Sequence, residues 1–133
     1  LGTILRTATA FALDAIILYG NTVDLYNPKC VRASVGNLWK IPVFQIKDFT
    51  ILQKYFKDFT RIATIPKSTD SVFLKDFHTQ EKTLVMFGAE SDGLSQELIT
   101  FSTDKVTIEM DNRVESLNLS MSAGIIFYKL FLL

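Results

Sequence analysis

Short runs dominated by apolar residues recur along this chain, separated by longer stretches of helical or turn character. They are Ala15-Ile-Ile-Leu18, Pro42-Val-Phe-Gln-Ile46, Arg61-Ile-Ala-Thr-Ile65, Thr83-Leu-Val-Met-Phe87 and Lys105-Val-Thr-Ile-Glu-Met110. Ala15 to Leu18 and Leu84 to Phe87 are continuous rather than alternating in apolarity, the mark of strands covered on both faces. Such strands alternating with helices predict an α/β fold with a mainly parallel sheet and helices on both of its faces. Helices are expected over Gly2 to Phe11, from Pro28 toward Leu38 with Asn27 as cap, after Asp48, over Ser95 to Phe101, and from near Ser116 to the end. The helix after Asp48 carries Ile51, Leu52, Tyr55 and Phe56 as its apolar stripe. Lys67 to Lys82 is polar and mixed, and predicts a loop with one helical turn.

At 133 residues the chain is long enough for one domain with a real core. Lys plus Arg and Asp plus Glu each number 14, so formal net charge is zero. A domain that captures nucleic acid by bulk charge carries a basic excess, so any such capture here has to be local or shared with another segment. Cys30 is the only cysteine, which excludes a disulfide within the chain and fits a reducing, cytoplasmic setting. Ile125 to Leu133 is too short to span a bilayer and contains Lys129, so no membrane segment is expected. His78 has no cysteine or acidic cluster near it, and no metal site is expected. Leu1 is not a methionine, which leaves a preceding segment and a targeting signal open.

Three separated segments carry chemistry. The first is Gly2-Thr-Ile-Leu-Arg6-Thr-Ala, where an arginine stands among small and apolar residues. Without further context it is a surface arginine with a snorkelling stem or a group with a purpose. The second is Leu84-Val-Met-Phe-Gly88-Ala-Glu90-Ser-Asp-Gly93-Leu-Ser95, a loop between a strand and a helix. Its glycines suit either a tight turn or close approach of a ligand at the carboxyl edge of a sheet. It is neither a G-x-G-x-x-G fingerprint nor a P-loop. The third is Val114-Glu-Ser-Leu117-Asn118-Leu-Ser-Met-Ser-Ala-Gly124, in which Asn118 can cap a helix or act in a site. Ser120, Ser122, Ala123 and Gly124 give that helix a face of small residues, suited to close approach of another segment.

In this order and spacing the three segments, with the linking Tyr26-Asn-Pro-Lys-Cys-Val-Arg32-Ala-Ser34, resemble the signature motifs of the SpoU/TrmH-type RNA 2′-O-ribose methyltransferases of the SPOUT superfamily. The resemblance covers nearly the whole chain. It implies an α/β fold with a C-terminal trefoil knot, S-adenosylmethionine as cofactor, methyl transfer to a ribose 2′-hydroxyl of rRNA or tRNA, and a homodimer. Residues 1–133 would form the methyltransferase domain, lacking its first strand and the N-terminal RNA-recognition domain of many relatives.

Carried over residue by residue, the resemblance implies cofactor contacts from Gly88, Ile108, Met110, Leu117 and Asn118. Arg6 matches the residue that activates the 2′-hydroxyl. Because arginine keeps its proton to pKa above ~12, two roles stay open: base, or orienting group while a phosphate oxygen or water takes the proton. Glu90 would fix the Arg6 guanidinium through bidentate hydrogen bonds. Asn118 would help arrange the site, and Arg32 would face the RNA. Two other activities fit the same sequence: a base methyltransferase of the same superfamily, or a knotted module that binds RNA or protein without catalysis.

Overall fold

The structure is a computed structural model that describes residues 1–20, 32, 40–89 and 91–132. Apart from Arg32, the expected helix from Pro28 toward Leu38 lies outside the described residues, as do Trp39 and Glu90. The chain divides into two compact units, Leu1–Leu52 with Ala123–Leu133, and Gln53–Ser122.

The first unit opens with α1, Gly2–Ala10, which buries Gly2, Leu5 and Ala8 and exposes Thr3, Arg6 and Ala10. The spacing is that of one helical stripe facing in and another facing out. Thr7 and Thr9 donate their hydroxyls to the carbonyls of Thr3 and Leu5, one turn back (2.9 and 2.8 Å). The helix ends with Ala12 N–H on the Thr9 carbonyl and Leu13 N–H on the Ala8 carbonyl (3.1 and 3.0 Å). That pair of bonds is a Schellman motif, and it forces Ala12 to a left-handed φ of 57°. A methyl group there is strained where glycine would not be.

Strand β1, Ile16–Tyr19, pairs in parallel with β2, Val43–Ile46, with Ile16 opposite Val43. Gly20 follows β1 at φ 75° and donates to the Ile46 carbonyl (3.0 Å). Helix α2, Phe49–Phe56, begins at Asp48, whose Oδ1 accepts from the backbone N–H and the hydroxyl of Thr50 (2.9 and 2.8 Å). These bonds hold the Asp48 carboxyl below its ordinary pKa. Of the expected stripe, Leu52 is buried and Phe56 half-buried, but Ile51 and Tyr55 are exposed. Two adjacent i, i+4 pairs run along this helix, and only one of them faces the interior.

Helix α4, Leu119–Phe127, buries Ala123, Ile126 and Phe127 and passes into a π-helical turn over Tyr128–Leu132. A Cβ added to Gly124 would meet only the Thr7 Cγ2 methyl, at 3.6 Å. That is ordinary contact, so the close approach expected of the small face is not demanded at Gly124. Phe11 meets the Tyr128 ring edge-on at 5.8 Å.

The second unit is built on four strands: β3, Thr60–Thr64; β4, Val72–Phe73; β5, Thr83–Met86; and β6, Asp104–Thr107. They lie in the order β4-β6-β3-β5 with every pair parallel. The parallel α/β expectation holds, but the described strands form two hydrogen-bonded sheets rather than one. Strand β4 was not expected, because its two residues sit in a polar stretch. It is followed by the helical turn Leu74–Asp76, with Leu74 buried. Strand β6 ends at Thr107, so Ile108 and Met110 lie beyond the strand that was expected to contain them. Ile62, Ala63, Met86 and Val106 fill the core of this unit.

Arg61 ties the unit together. Its Nε donates to the Phe101 carbonyl at the end of α3, Gln96–Phe101 (2.7 Å). Its Nη1 donates to the carbonyls of Phe56, Lys57 and Phe59 (3.1, 2.6 and 3.3 Å), and the guanidinium lies 4.4 Å from the Phe101 ring centroid. One fixed cation thus satisfies the carbonyl ends of two helices, where positive charge is favoured. Thr103 pairs with both the N–H and the carbonyl of Arg61, through its hydroxyl and its backbone.

Arg61→Ala is expected to lower unfolding free energy by about 2–4 kcal/mol, since it strands several carbonyls and removes a stacked side chain. Arg61→Lys should recover less than half of that loss, because an ammonium cannot reproduce the fork. Ala12→Gly should stabilise by roughly 1 kcal/mol by relieving the left-handed alanine. Urea unfolding curves measure all three.

Candidate functional site

Parallel strands deliver their carboxyl ends to one edge of a sheet, where ligands of open α/β folds bind. In the second unit that edge carries Ile65 after β3, Phe87-Gly88 after β5 and Ile108 to Met110 after β6. Thr64 donates its hydroxyl to the Met86 carbonyl (2.8 Å), and Ile65 N–H donates to the Val106 carbonyl (3.1 Å). The ends of β3, β5 and β6 are therefore held in register up to the point where the loops leave.

The loop after β5 folds back on itself. Ala89 and Gly93 form an antiparallel bridge, with Gly93 N–H on the Ala89 carbonyl at 2.8 Å. A Cβ on Gly88 would fall well inside contact distance of the Gly93 carbonyl carbon and the Leu94 nitrogen, both of them backbone. The absent side chain at Gly88 therefore serves the loop's own closure, the tight turn that was one of the two readings of these glycines. Gly93 needs its glycine for a different reason: its φ is 68°, with open space around the missing Cβ. Ser95 then caps α3, its hydroxyl oxygen accepting from Leu98 N–H at 3.3 Å.

The segment after β6 offers Ile108 and Met110 half-buried, with Glu109 between them exposed. Glu109 pairs with Lys75 at 2.6 Å, which raises the Lys75 pKa. Asp111 grips Arg113: Oδ1 accepts from the Arg113 backbone N–H and Nε (both 2.9 Å), and Oδ2 accepts from Nη2 (3.2 Å). Arg113 lowers the Asp111 pKa through these bonds. An Asp-x-Arg spacing is the signal that would have flagged this clamp in the sequence.

Leu117 is half-buried and Asn118 exposed. Asn118 Oδ1 accepts from Met121 N–H (2.9 Å) and from the Ser120 hydroxyl (3.1 Å), so its oxygen is committed as the cap of α4. The helix accordingly starts at Leu119 rather than near Ser116. Gly88, Ile108, Met110, Leu117 and Asn118 all belong to the second unit; Arg6 and Arg32 belong to the first, both exposed. Among the described residues no group of three His, Cys, Asp or Glu is placed to hold a metal ion, and no helix is long and apolar enough to cross a membrane. His78 is exposed in its loop.

Residues 1–128 match the family model described as the SpoU rRNA Methylase family. The chain belongs to this family. Among SpoU relatives, an uncharacterized tRNA/rRNA methyltransferase of Synechocystis sp. is 37% identical over 97% of the chain and 47% of its own length. The 23S rRNA (uridine(2479)-2′-O)-methyltransferase of Streptomyces viridochromogenes is 29% identical over 97% of the chain and 47% of its own. The AdoMet-bound rRNA methyltransferase from Sinorhizobium meliloti superposes with a TM-score of 0.88 at 29% identity, over 97% of this chain and 49% of that one. The SpoU methyltransferase AviRb of Streptomyces viridochromogenes, in complex with AdoMet, gives 0.86 at 27%, over 96% and 50%. The chain spans about half the length of the curated relatives it matches.

Gly88→Ala is expected to destabilise by about 1–3 kcal/mol, the usual range for forced overpacking, and Gly93→Ala by roughly 1 kcal/mol of backbone strain. Asn118→Ala should lose roughly 0.5–2 kcal/mol of cap, while Asn118→Asp, an equally good cap, should lose little. Denaturant titration of the purified variants checks this ordering.

Proposed function

We propose that the protein containing this chain transfers a methyl group from S-adenosylmethionine to a ribose 2′-hydroxyl of rRNA or tRNA. The observation that carries the reading is the closed Gly88–Leu94 loop at the sheet's carboxyl edge, beside strand ends that lead into the Leu117-Asn118 motif. Support comes from relatives whose names specify 2′-O-methylation of 23S rRNA and from similar structures that contain AdoMet.

The residues suit the cofactor. Gly88 and its loop offer backbone groups, and Ile108, Met110 and Leu117, each half-buried, offer apolar wall. When bound, S-adenosylmethionine supplies a methyl group on a positively charged sulfur. An apolar wall suits a reaction in which that charge disappears. With Asn118 Oδ1 used by the helix cap, its amide N–H groups remain to donate toward an acceptor in the site.

On the substrate side, Arg6 orients the ribose hydroxyl or a neighbouring phosphate, and Glu90 fixes its guanidinium. A phosphate oxygen or water takes the hydroxyl proton, because arginine does not give up its own. Arg32, exposed, contacts RNA phosphate. Holding the hydroxyl in attack geometry can contribute roughly 7–11 kcal/mol. The working form is a cytoplasmic homodimer with a C-terminal knot; exposed Met121, Ile125 and Tyr128, spaced i, i+4, i+7 from α4 onward, give it an apolar face to bury.

Incubating the intact protein with RNA and methyl-labelled cofactor, then digesting the RNA, should yield 2′-O-methylnucleosides. Label found only on bases assigns the other superfamily chemistry, and cofactor binding without transfer assigns a non-catalytic module. Arg6→Ala should keep cofactor affinity within a few-fold and reduce turnover at least ~100-fold. Wild-type turnover in that variant would remove Arg6 from the mechanism.

A further inference from the structure

Phe73 closes β4 at the same carboxyl edge as Gly88 and Ile108, on the outermost strand of the second unit's sheet. Two lysines converge on its ring: Lys67 Nζ lies 5.6 Å and Lys75 Nζ 5.5 Å from the centroid. They arrive from different loops, Lys67 after β3 and Lys75 after β4. Lys75 is neutralised by Glu109 at 2.6 Å, but among the described residues no carboxylate pairs with Lys67. Bringing two ammonium groups to one ring adds repulsion, so fold stability alone gives little reason for the arrangement. An aromatic ring flanked by cations is, however, what a single-stranded nucleic acid needs: a face for a base and charge for the phosphates beside it. The chain's zero net charge requires RNA capture to be local, and this is a local site.

We propose that Phe73 with Lys67 and Lys75 forms a contact surface for a single-stranded stretch of the substrate RNA, next to the cofactor edge; this rests on the reading given under Proposed function. Glu109 acts there as a built-in competitor for phosphate. The Lys75–Glu109 pair is 61% and 49% exposed, so water screens it and a phosphate can take the carboxylate's place.

The test uses the intact protein and an oligouridylate of about twelve nucleotides, with affinity measured across a range of salt concentrations. Lys67→Gln should weaken binding and flatten the slope of log affinity against log salt by about 0.7, one single-strand phosphate contact. Phe73→Leu, which keeps an apolar side chain at a half-buried position, should weaken binding roughly tenfold. Glu109→Gln should tighten it, an effect of opposite sign that a merely structural pair would not give. S-adenosylmethionine affinity of Lys67→Gln should equal wild type. Wild-type RNA methylation with unchanged affinity and salt slope in these variants overturns the surface alone. No RNA binding and no methyl transfer by the wild type overturns the functional reading and this surface with it. Equal binding of polyglutamate of the same charge overturns the assignment to RNA.

Discussion

Parallel pairing is the constraint from which the rest of this structure follows. Because β3 runs parallel to β5 and β6, and β6 to β4, four loops that are far apart in sequence leave one sheet at one edge. Together they set the Gly88 backbone, half-buried Ile108 and Met110, and Phe73 with its two lysines along that edge. The sheet order makes neighbours of segments twenty or more residues apart, and the Thr64 hydroxyl bond to Met86 ties the ends of β3 and β5 together where their loops begin. A slip of one residue would turn every side chain to the opposite face.

The same unit shows how one cation can serve architecture rather than chemistry. Arg61 gathers carbonyls from the ends of α2 and α3 through its Nε and Nη1 and stacks on Phe101, so its guanidinium is held in place by the fold. Arg113 is a second case, its fork closed on Asp111. Arg6, like Arg113, is exposed, and it stands on the outer face of α1 with Thr3 and Ala10. An arginine on the outer face of a helix needs no partner for folding, which is consistent with a role toward a ligand.

Much of this was legible in the sequence because the signals were local or repeated. Apolar runs located β1, β2, β3 and β5, Asp48 declared the start of α2, and the three motifs led to the SpoU family that the match over residues 1–128 establishes. What escaped was set by tertiary contact. A strand as short as Val72–Phe73 exists only because β6 offers it a partner. The end of β6 at Thr107 reflects where pairing stops, not where apolar residues do. Ile51 and Tyr55 looked like core by spacing, yet the adjacent Leu52 and Phe56 stripe was the one covered. For Gly88 the sequence offered a tight turn or the approach of a ligand, and the structure shows the turn, its missing Cβ making room for Gly93 and Leu94. Asn118 offered two roles, and the structure assigns its oxygen to the helix cap.

The claim on which the functional account turns is that the methyl donor lies at the carboxyl edge of the β4-β6-β3-β5 sheet. Methyl-resolved NMR of the intact protein, titrated with S-adenosylmethionine, tests it directly. The account predicts that the Ile108 and Met110 methyl resonances move on binding while that of Ile62, buried in the sheet core, stays close to its free position. Saturable binding with Ile108 and Met110 unmoved would contradict it.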